Sequence, residues 1–532
     1  MNKHLTRYLL AAGLLVASSG TAWAIKASPK PITVKQPDGT TLVIRVHGDE
    51  NFHYITTTDG FLIQRDKDGY FKYVQTDASQ GTRKLTARRA LNADKRSAAD
   101  NQFLSTLRPI RKEADAEWLK SLRGNVQPMT VGQTLPASVR SRKVDAQTGE
   151  AKESEYLVVL VKYADGEFHF TDSDFDAWLN EKGYSKNGGT GSVKDYYRDN
   201  SMGQFVPNFT VVGPYTLDHE RTYYAADLGG TGNDVNPQAL VIEAAQKAKA
   251  DHPEIDFSKF DNDGDGYMDN INVVIGGYSQ ASSGDDKDMW PHSYRLKTND
   301  EDLSIEIDGI RVNNYSVSAE LVGASGINMD GIGTFTHEFG HILGLKDMYD
   351  TDDYDGGIGI DPGAYSLYAS GSYNNNSRTP AALMTFERMQ MGWLKKEDLH
   401  QLNKAEDVTL PIMTSNTAAY VDARPGLSDD EGYEWYVFEN RQKTGWDSYI
   451  PYHGLLIYHL DYTKSMVNKY WSVNGPNNNA RHRCMYIVPA DGIDDTNTRK
   501  GDTYPGTSGV TSFTDYYNWL GDKVRTPITN IR

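Results

Sequence analysis

The sequence predicts an α+β protein of several domains, and the order of its hydrophobic patterns leads to that prediction. The chain has 532 residues with 33 Tyr and 48 Gly, a composition that favours strands and turns over helical bundles. Alternating segments broken by Asp-Gly pairs come first, apolar strands alternate with helical segments in the middle, and alternating segments return after Trp393. This order predicts β-hairpins, then an α/β layer, then a β-sandwich-like domain.

The first 24 residues are predicted to be a secretory signal peptide. Lys3 and Arg7 form its basic start, residues 8–16 are apolar, and the Ala-Trp-Ala triplet at 22–24 predicts cleavage after Ala24. The apolar run is too short to span a membrane, and no later stretch approaches the length of about 18 apolar residues that a span needs. We therefore expect a secreted protein without a membrane span. The net charge of −17 argues against a nucleic-acid partner.

Residues 25–154 are predicted to be a removable pro-region, with an ordinary accessory domain as the alternative. Asp-Gly pairs at 38–39, 59–60 and 68–69 mark hairpin turns. Residues 84–123 are rich in Ala, Arg, Lys and Leu and are predicted to be helical. Residues 125–155 have the composition of a linker.

Residues 155–394 are predicted to form one α/β domain and residues 395–532 the β-sandwich-like domain. In the first, the patterns predict strands over 156–163, 205–212 and 270–277, and helices over 190–202 (with Ser192 or Thr190 as N-cap), 236–250 and 380–391. In the second, they predict strands over 407–412, 434–439 and 454–461, with further strands expected beyond Arg532. The single cysteine, Cys484, excludes an internal disulfide and is predicted to be a small core residue.

The most informative stretch of the sequence is H-E-x-x-H-x-x-G-x-x-D at residues 337–347. On a helix, His337 and His341 lie on one face about 5–6 Å apart, a spacing at which two imidazoles can bind one Zn²⁺. Gly344 accepts the left-handed conformation that ends a helix, so the chain can turn back and bring Asp347 as a third ligand. A surface helix with two solvated histidines is the alternative interpretation.

Glu338 lies beside the predicted metal and is predicted to be the general base. It can take a proton from water during attack on a peptide carbonyl and return it to the leaving amine. Asp350 is the alternative to Asp347 as third ligand. The charge that develops on the carbonyl oxygen needs a donor, for which His292 and the tyrosines from Tyr349 to Tyr373 are candidates. These roles predict a zinc-dependent hydrolase of peptide bonds, with proteins or peptides as its substrates.

A second metal site is predicted in the acidic segment D-N-D-G-D-G-Y-M-D at residues 261–269. The segment follows the first nine positions of a calcium loop, although Asn272 stands where a bidentate Glu is expected. The predicted ligands offer carboxylate or carbonyl oxygens and are Asp261, Asp263, Asp265, Tyr267 and Asp269. A structural Ca²⁺ is predicted, with a plain acidic turn as the alternative.

Residues 337–350 resemble the signature of the M6 metallopeptidases, the immune inhibitor A family. The likeness continues along nearly the whole chain in short motifs at residues 36–39, 46–50, 188–196, 290–292, 371–374, 439–442 and 501–506. The resemblance implies a zincin-like catalytic domain and a secreted, zinc-dependent endopeptidase that is made as a zymogen.

Two departures from the family pattern bear on that expectation. Tyr368 stands where related zinc peptidases usually place a Met in a turn beneath the metal. The pro-region contains no Cys, so any side chain that blocks the zinc would be an Asp, Glu or His from residues 25–154. The alternative function is therefore a protease-like surface-binding or adhesion protein with a site impaired around Tyr368, although the intact Glu338 argues against it. The sequence contains no serine-hydrolase elbow and no phosphate-binding loop.

Overall fold

The computed structural model describes residues 23–77, 82–110, 135–227, 233–298, 301–352, 359–413, 418–496 and 498–532. Within these ranges the strands form an N-terminal sheet, a central sheet, a C-terminal sheet and one separate hairpin. The predicted signal peptide lies outside them except for Trp23 and Ala24, which form strand β1. None of the helices in these ranges is both long and apolar enough to cross a membrane.

The N-terminal sheet is an antiparallel meander of six strands in sequence order. Its strands are β2 (Ile32–Lys35), β3 (Thr41–Gly48), β4 (His53–Thr57), β5 (Leu62–Arg65), β6 (Phe71–Asp77) and β7 (Thr82–Arg89). The turn glycines Gly39, Gly60 and Gly69 have the positive φ that Asp-Gly turns require, which confirms the predicted hairpins.

The predicted helical stretch 84–123 is only partly helical. Residues 84–89 belong to β7, because pairing with β6 outweighs their helical composition. A helix, α1 (Ala98–Leu104), follows, and Ser97 and Asp100 form its capping box. The rest of the prediction from residue 111 onward lies outside the described residues. A short helix, α2 (Ala137–Arg140), then packs on the central part of the chain, where the Leu135 amide donates to the Ile342 carbonyl at 2.9 Å.

The central sheet has the strand order β1-β11-β14-β10-β8-β9. Its further strands are β8 (Ser154–Lys162), β9 (Pro207–Thr216), β10 (Ile271–Tyr278), β11 (His292–Arg295) and β14 (Asn314–Leu321), while β12 (Ile305–Ile307) and β13 (Ile310–Val312) form the separate hairpin. Strands β14, β10, β8 and β9 run parallel, and β11 is antiparallel to β14. The three strands predicted for this region are confirmed.

Helices pack on both faces of the central sheet. The helices of this part of the chain are α3 (Asp172–Asn180), α4 (Val193–Asn200), α5 (Arg221–Ala225), α6 (Pro237–Asp251), α7 (Gln280–Ser283), α8 (Ile332–Ile342) and α9 (Thr385–Gln390). Of these, α3, α4, α6 and α8 contact the strands of the central sheet. Ser192 is the N-cap of α4. Helix α9 begins five residues later than the predicted start at 380, because the Ala382 and Leu383 amides donate to Asp447 and Asn200 side chains instead of to helical carbonyls.

The C-terminal sheet differs from the predicted β-sandwich, because the described residues contain one sheet here and not two. Its strands are β15 (His400–Gln401), β16 (Ala419–Asp422), β17 (Gly432–Arg441), β18 (Gly454–Thr463) and β19 (Met485–Ile487), with helix α10 (Lys464–Lys469) after β18. Residues 407–412, predicted as a strand, are irregular. One face of the sheet shares a continuous core with α8 and α9, so the central part of the chain supplies the layer that a second sheet would provide. Cys484 is buried in that core, as predicted.

Candidate metal centre

Helix α8 carries the H-E-x-x-H motif through the middle of the protein, and all of its residues are buried. Phe335 and Phe339 pack against β8 and β9 through aromatic contacts with Tyr156 and Phe209. The opposite face of α8 presents the motif. The helix ends at Ile342, and Gly344 has the positive φ of 102° that allows the chain to reverse, as predicted.

His337, His341 and Asp347 meet at one point. The two Nε2 atoms lie 3.2 Å apart, and Asp347 Oδ1 lies 3.1 Å from His337 Nε2 and 3.6 Å from His341 Nε2. Four ligands at about 2.0–2.1 Å from a tetrahedral Zn²⁺ lie about 3.3 Å from one another. The three atoms therefore have the mutual spacing of three tetrahedral zinc ligands.

The hydrogen bonds of the two histidines direct both Nε2 lone pairs toward that point. His337 Nδ1 lies 3.0 Å from the Leu367 carbonyl, and His341 Nδ1 lies 2.9 Å from the Leu345 carbonyl. A carbonyl can only accept, so each Nδ1 carries the proton and each Nε2 presents a lone pair that can bind a cation. Burial lowers the pKa of His341 to about 3, which keeps its ring neutral.

Asp347 has one buried carboxylate oxygen that accepts no hydrogen bond and that a metal ion would satisfy. Its Oδ1 is buried and accepts no hydrogen bond. Its Oδ2 accepts from Asn474 Nδ2 at 2.6 Å, and its own amide donates to Asn474 Oδ1 at 2.8 Å. Two imidazole nitrogens and one carboxylate whose Oδ1 is unsatisfied form a donor set that suits Zn²⁺.

Asp350, the alternative third ligand, accepts hydrogen bonds from backbone amides with both of its carboxylate oxygens. Its Oδ2 accepts from the Gly359 amide at 2.9 Å, and its Oδ1 accepts from the Asp352 amide at 3.3 Å. Among the described residues, the group of His, Cys, Asp and Glu atoms at this point consists of His337, His341 and Asp347. The geometry therefore favours Asp347 over Asp350.

Tyr368, at the position where a Met was expected, lies against both histidines. Its ring centroid is 4.8 Å from that of His337 and 5.2 Å from that of His341. Its hydroxyl donates to the His337 carbonyl at 3.3 Å and approaches α8 at Gly340, where any Cβ would come within 1.8 Å of the hydroxyl oxygen. The Tyr368 hydroxyl therefore leaves no room for a side chain at position 340, and the Tyr368 ring fills the space beneath the two histidines.

Glu338 faces the site beside the three ligand atoms. Burial, followed by the nearby Asp347 charge, raises the pKa of Glu338 well above its usual value. Its Oε1 accepts a hydrogen bond of 2.7 Å from the backbone amide of Ile25, and its Oε2 has no partner. The predicted base is therefore in contact with the chain at the predicted signal-peptide cleavage point.

The segment from Trp23 to Lys26 runs across the site. The backbone of β1 pairs antiparallel with β11, with Ala24 opposite His292. The Ile25 carbonyl accepts from Trp290 Nε1 at 2.9 Å, and the Lys26 carbonyl accepts from the Tyr373 hydroxyl at 2.6 Å. The segment thus extends the central sheet by one strand and covers Glu338.

His292 and the tyrosines, which were predicted to donate to the carbonyl oxygen of a substrate, differ in their contacts. His292 is fully engaged, because its Nδ1 contacts the Trp290 carbonyl at 2.7 Å and its Nε2 the Tyr315 hydroxyl at 3.1 Å. Burial lowers the pKa of His292 to about 4. Burial, then the Asp347 charge, raises the pKa of Tyr349 well above its usual value. The Tyr373 hydroxyl donates to the covering segment at the Lys26 carbonyl. Both Tyr349 and Tyr373 remain candidate donors to the carbonyl oxygen of a substrate.

Three contributors to the site were missed by sequence reasoning: Ile25, Glu50 and Asn474. Burial, then the Asp49 and Asp347 charges, raises the pKa of Glu50 well above its usual value, so the Asp347 charge acts on this pro-region carboxyl. A pro-region carboxylate was expected as a blocking group, but no particular one could be chosen. Asn474 comes from a loop 127 residues further along the chain than Asp347, and no local pattern marks it.

The predicted calcium loop folds back on itself. The Asp261, Asp263 and Asp265 carboxylates each place an oxygen within 4.8 Å of the others. Asp269 lies nearby, but both of its carboxylate oxygens accept from Asn262, from its amide at 3.2 Å and its Nδ2 at 2.8 Å. The structure thus brings the carboxylates of Asp261, Asp263 and Asp265 together, while the carboxylate of Asp269 is bonded to Asn262.

Comparisons with known proteins agree with this geometry. The family described as immune inhibitor A peptidase M6, catalytic domain, matches residues 145–398. The immune inhibitor A of Bacillus thuringiensis subsp. alesti is 28% identical over 284 residues, covering 45% of this chain and 39% of that protein. The pre-pro-metalloprotease PrtV of Vibrio cholerae serotype O1, from two strains, is 25% identical over 222 residues, covering 37% of this chain and 23% of PrtV. The chain thus spans well under half of these curated relatives.

Proposed function

The chain belongs to the M6 family of metallopeptidases through its residues 145–398, and from this premise we propose that it is a secreted zinc endopeptidase made as a zymogen. The observation that carries the proposal is the convergence of His337, His341 and Asp347 beside Glu338, with an orphaned Asp347 oxygen at the centre. Extracellular or host proteins are the proposed substrates.

His337, His341 and Asp347 would hold the ion. When bound, zinc would supply Lewis-acid activation of water and of the peptide carbonyl. Glu338 takes the proton from the attacking water through a carboxylate oxygen and returns it to the leaving nitrogen. The low exposure of Glu338 excludes competing solvent from this transfer, and a cation at the three ligands would favour its charged form against the cost of burial.

Latency in this proposal comes from the segment that covers Glu338. The Ile25 nitrogen, which cleavage after Ala24 would turn into the N-terminal amine of the zymogen, contacts one oxygen of the base, and Trp290 and Tyr373 hold the Ile25 and Lys26 carbonyls. A protein substrate cannot reach Glu338 while this segment is in place. Removal of residues 25–154, or displacement of their N-terminal end, would therefore activate the enzyme.

A structural Ca²⁺ at Asp261, Asp263 and Asp265 is part of the proposal. Three close carboxylates repel one another, and a divalent cation would offset that repulsion. The alternative function, a surface-binding protein with an impaired site, loses its main support because Tyr368 packs against both histidines.

Cleavage of casein and of a quenched peptide tests the proposal. The full chain is assayed before and after limited trypsin treatment, with the trypsin then inhibited, and beside Glu338→Gln with and without 1,10-phenanthroline. We expect activity after treatment that the substitution and the chelator each abolish. The exposed Glu397→Gln variant is the matched control and should remain active. Stoichiometric zinc without cleavage would support the binding-protein alternative instead.

A further inference from the structure

The covering segment places a lysine in a buried acidic position next to the site. Lys26 Nζ lies 2.7 Å from Asp361 Oδ2, and the Asp361 side chain is only 3% exposed. Asp361 Oδ1 accepts from the Gly363 amide at 2.8 Å. The Tyr349 ring flanks the same ammonium group, with its centroid 5.9 Å from Nζ. Carboxylate and ring together form a pocket that suits a cation.

The cation that Asp361 contacts is the one on Lys26. Burial by itself would raise the pKa of Asp361, but the charge and hydrogen bond of Lys26, followed by the Gly363 amide and the Arg499 charge, together hold that pKa below its usual value. Arg499 is the other nearby cation, and its guanidinium donates to Asp502 at 2.8 Å and to the carbonyl, not the carboxylate, of Asp361. When Lys26 leaves, Asp361 Oδ2 loses its ion-pair partner, and the buried carboxylate favours another cation in the same place.

The segment occupies the position that a peptide substrate would take relative to Glu338. The Ile25 nitrogen contacts Glu338, the group that gives a proton to the leaving nitrogen, so Ile25 corresponds to the first residue after a scissile bond. Lys26 is then the second residue. Downstream of the predicted cleavage point, its neighbours hold the segment backbone at two main-chain groups, the Ile25 carbonyl at Trp290 and the Lys26 carbonyl at Tyr373. Such contacts are available to any peptide, whereas the Asp361 contact requires a basic side chain.

We propose that Asp361 forms a specificity subsite that selects Lys or Arg at the second position after the scissile bond. The inference rests on the proposed function, because it assigns a substrate preference to that site. A close charge pair at a desolvated position changes binding by about tenfold or more, so the preference should be of that size.

Matched peptides test the subsite. The full chain, activated by limited proteolysis, is given quenched peptides that differ only in the second residue after the cleavage point: Lys, Arg, Gln or Glu. Mass spectrometry fixes the bond that is cut, and kcat/KM is compared. We expect Lys and Arg to exceed Gln by about tenfold or more, and Glu to be poorest.

Substitution of Asp361 completes the test. In Asp361→Asn the Lys-to-Gln ratio of kcat/KM should fall to about one, and in Asp361→Lys the Glu peptide should become preferred. Asp494→Asn removes a carboxylate near Arg499 without touching Lys26, so it should keep the wild-type ratio. Equal cleavage of the Lys and Gln peptides by the wild type, or an unchanged ratio in a folded Asp361→Asn, would overturn the proposal.

A binding measurement separates failure of the subsite from failure of the proposed function. Short peptides that begin Ile-Lys and Ile-Gln are titrated calorimetrically into the proteolysed protein, where no cleavage is needed. Tighter binding of Ile-Lys by about tenfold supports the subsite even if no peptide is cleaved. Equal binding overturns it, whether or not the protein is a peptidase.

Discussion

Asn474 and Asp347 are joined by two reciprocal hydrogen bonds although 127 residues separate them in the chain. Asn474 has a positive φ of 58°, which presents its amide to Asp347 from the C-terminal sheet region. Asn477 and Asn478 of the same loop contact the Met348 carbonyl and the Thr351 amide. The segment that carries the proposed third ligand is thus oriented by residues beyond the matched range 145–398.

Loss of the Asn474 side-chain amide should weaken zinc binding. In Asn474→Gly the backbone remains compatible with positive φ, but both bonds to Asp347 are lost, and we expect zinc affinity to fall about 10- to 100-fold. Competition with a chromogenic chelator measures it. Asn479→Ala changes the same loop at a residue that donates to the Tyr470 hydroxyl, so it should keep the wild-type affinity. Equal affinities for Asn474→Gly and the wild type would show that Asp347 needs no such support.

Weakening the covering segment should release activity from the full chain. Lys26→Glu replaces the contact with Asp361 by repulsion, so the segment should leave Glu338 more often. We expect peptide cleavage without proteolytic treatment to rise several-fold. Lys30→Glu reverses a charge at an exposed residue that contacts Asn376, and should leave latency intact. If neither variant cleaved peptides faster than the untreated wild type, the covering segment would not limit access of substrate to Glu338.

Tyr368 should matter through its ring more than through its hydroxyl. Tyr368→Phe keeps the contacts with His337 and His341 and loses one long hydrogen bond, so it should cost about 1 kcal/mol and retain stoichiometric zinc. Tyr368→Ala opens a cavity beneath the site and should cost about 3–5 kcal/mol. Urea unfolding and zinc analysis measure these effects. A loss of zinc in a stable Tyr368→Phe would instead assign the main role to the hydroxyl.

Asp330 should make the protein less stable as the pH rises. Burial raises the pKa of Asp330 from 3.8 to about 7, while the Gly331 amide, Thr334 and Arg378 lower it less. The folded state therefore binds one more proton than the unfolded state between these values, and its stability decreases with pH across that window. Asp330→Asn should become more stable relative to the wild type by about 1.4 kcal/mol per pH unit between pH 5 and 7.

The comparison uses free energies of unfolding in urea at pH 5, 6 and 7. The exposed Asp429→Asn variant is the control, and its curve should run parallel to that of the wild type. A parallel curve for Asp330→Asn as well would mean that Asp330 is charged throughout this range.

Calcium should stabilise the protein through the acidic loop. If Asp261, Asp263 and Asp265 bind the ion, Ca²⁺ at 100 times its dissociation constant adds about 2.7 kcal/mol. Asp263→Asn should reduce that gain, while Asp429→Asn should not. Thermal unfolding with Ca²⁺ or EGTA measures it, and a wild-type Tm that is indifferent to Ca²⁺ would refute the site.

The sequence by itself determined the parts of the site that are local. His337 and His341 are four residues apart, and helical geometry alone brings them together, while Gly344 ends the helix because only glycine adopts that φ readily. Hairpin turns at Asp-Gly pairs were predictable for the same reason.

Only the tertiary structure decided which distant groups meet these residues. Four features depend on long-range packing: Asn474 at Asp347, Ile25 at Glu338, Tyr368 beneath the histidines, and the one C-terminal sheet, instead of a sandwich, that the described residues form. The physical reason is that a local pattern fixes φ, ψ and the face of an element. The partner of that face is chosen by burial of the whole core, which no short stretch of sequence encodes.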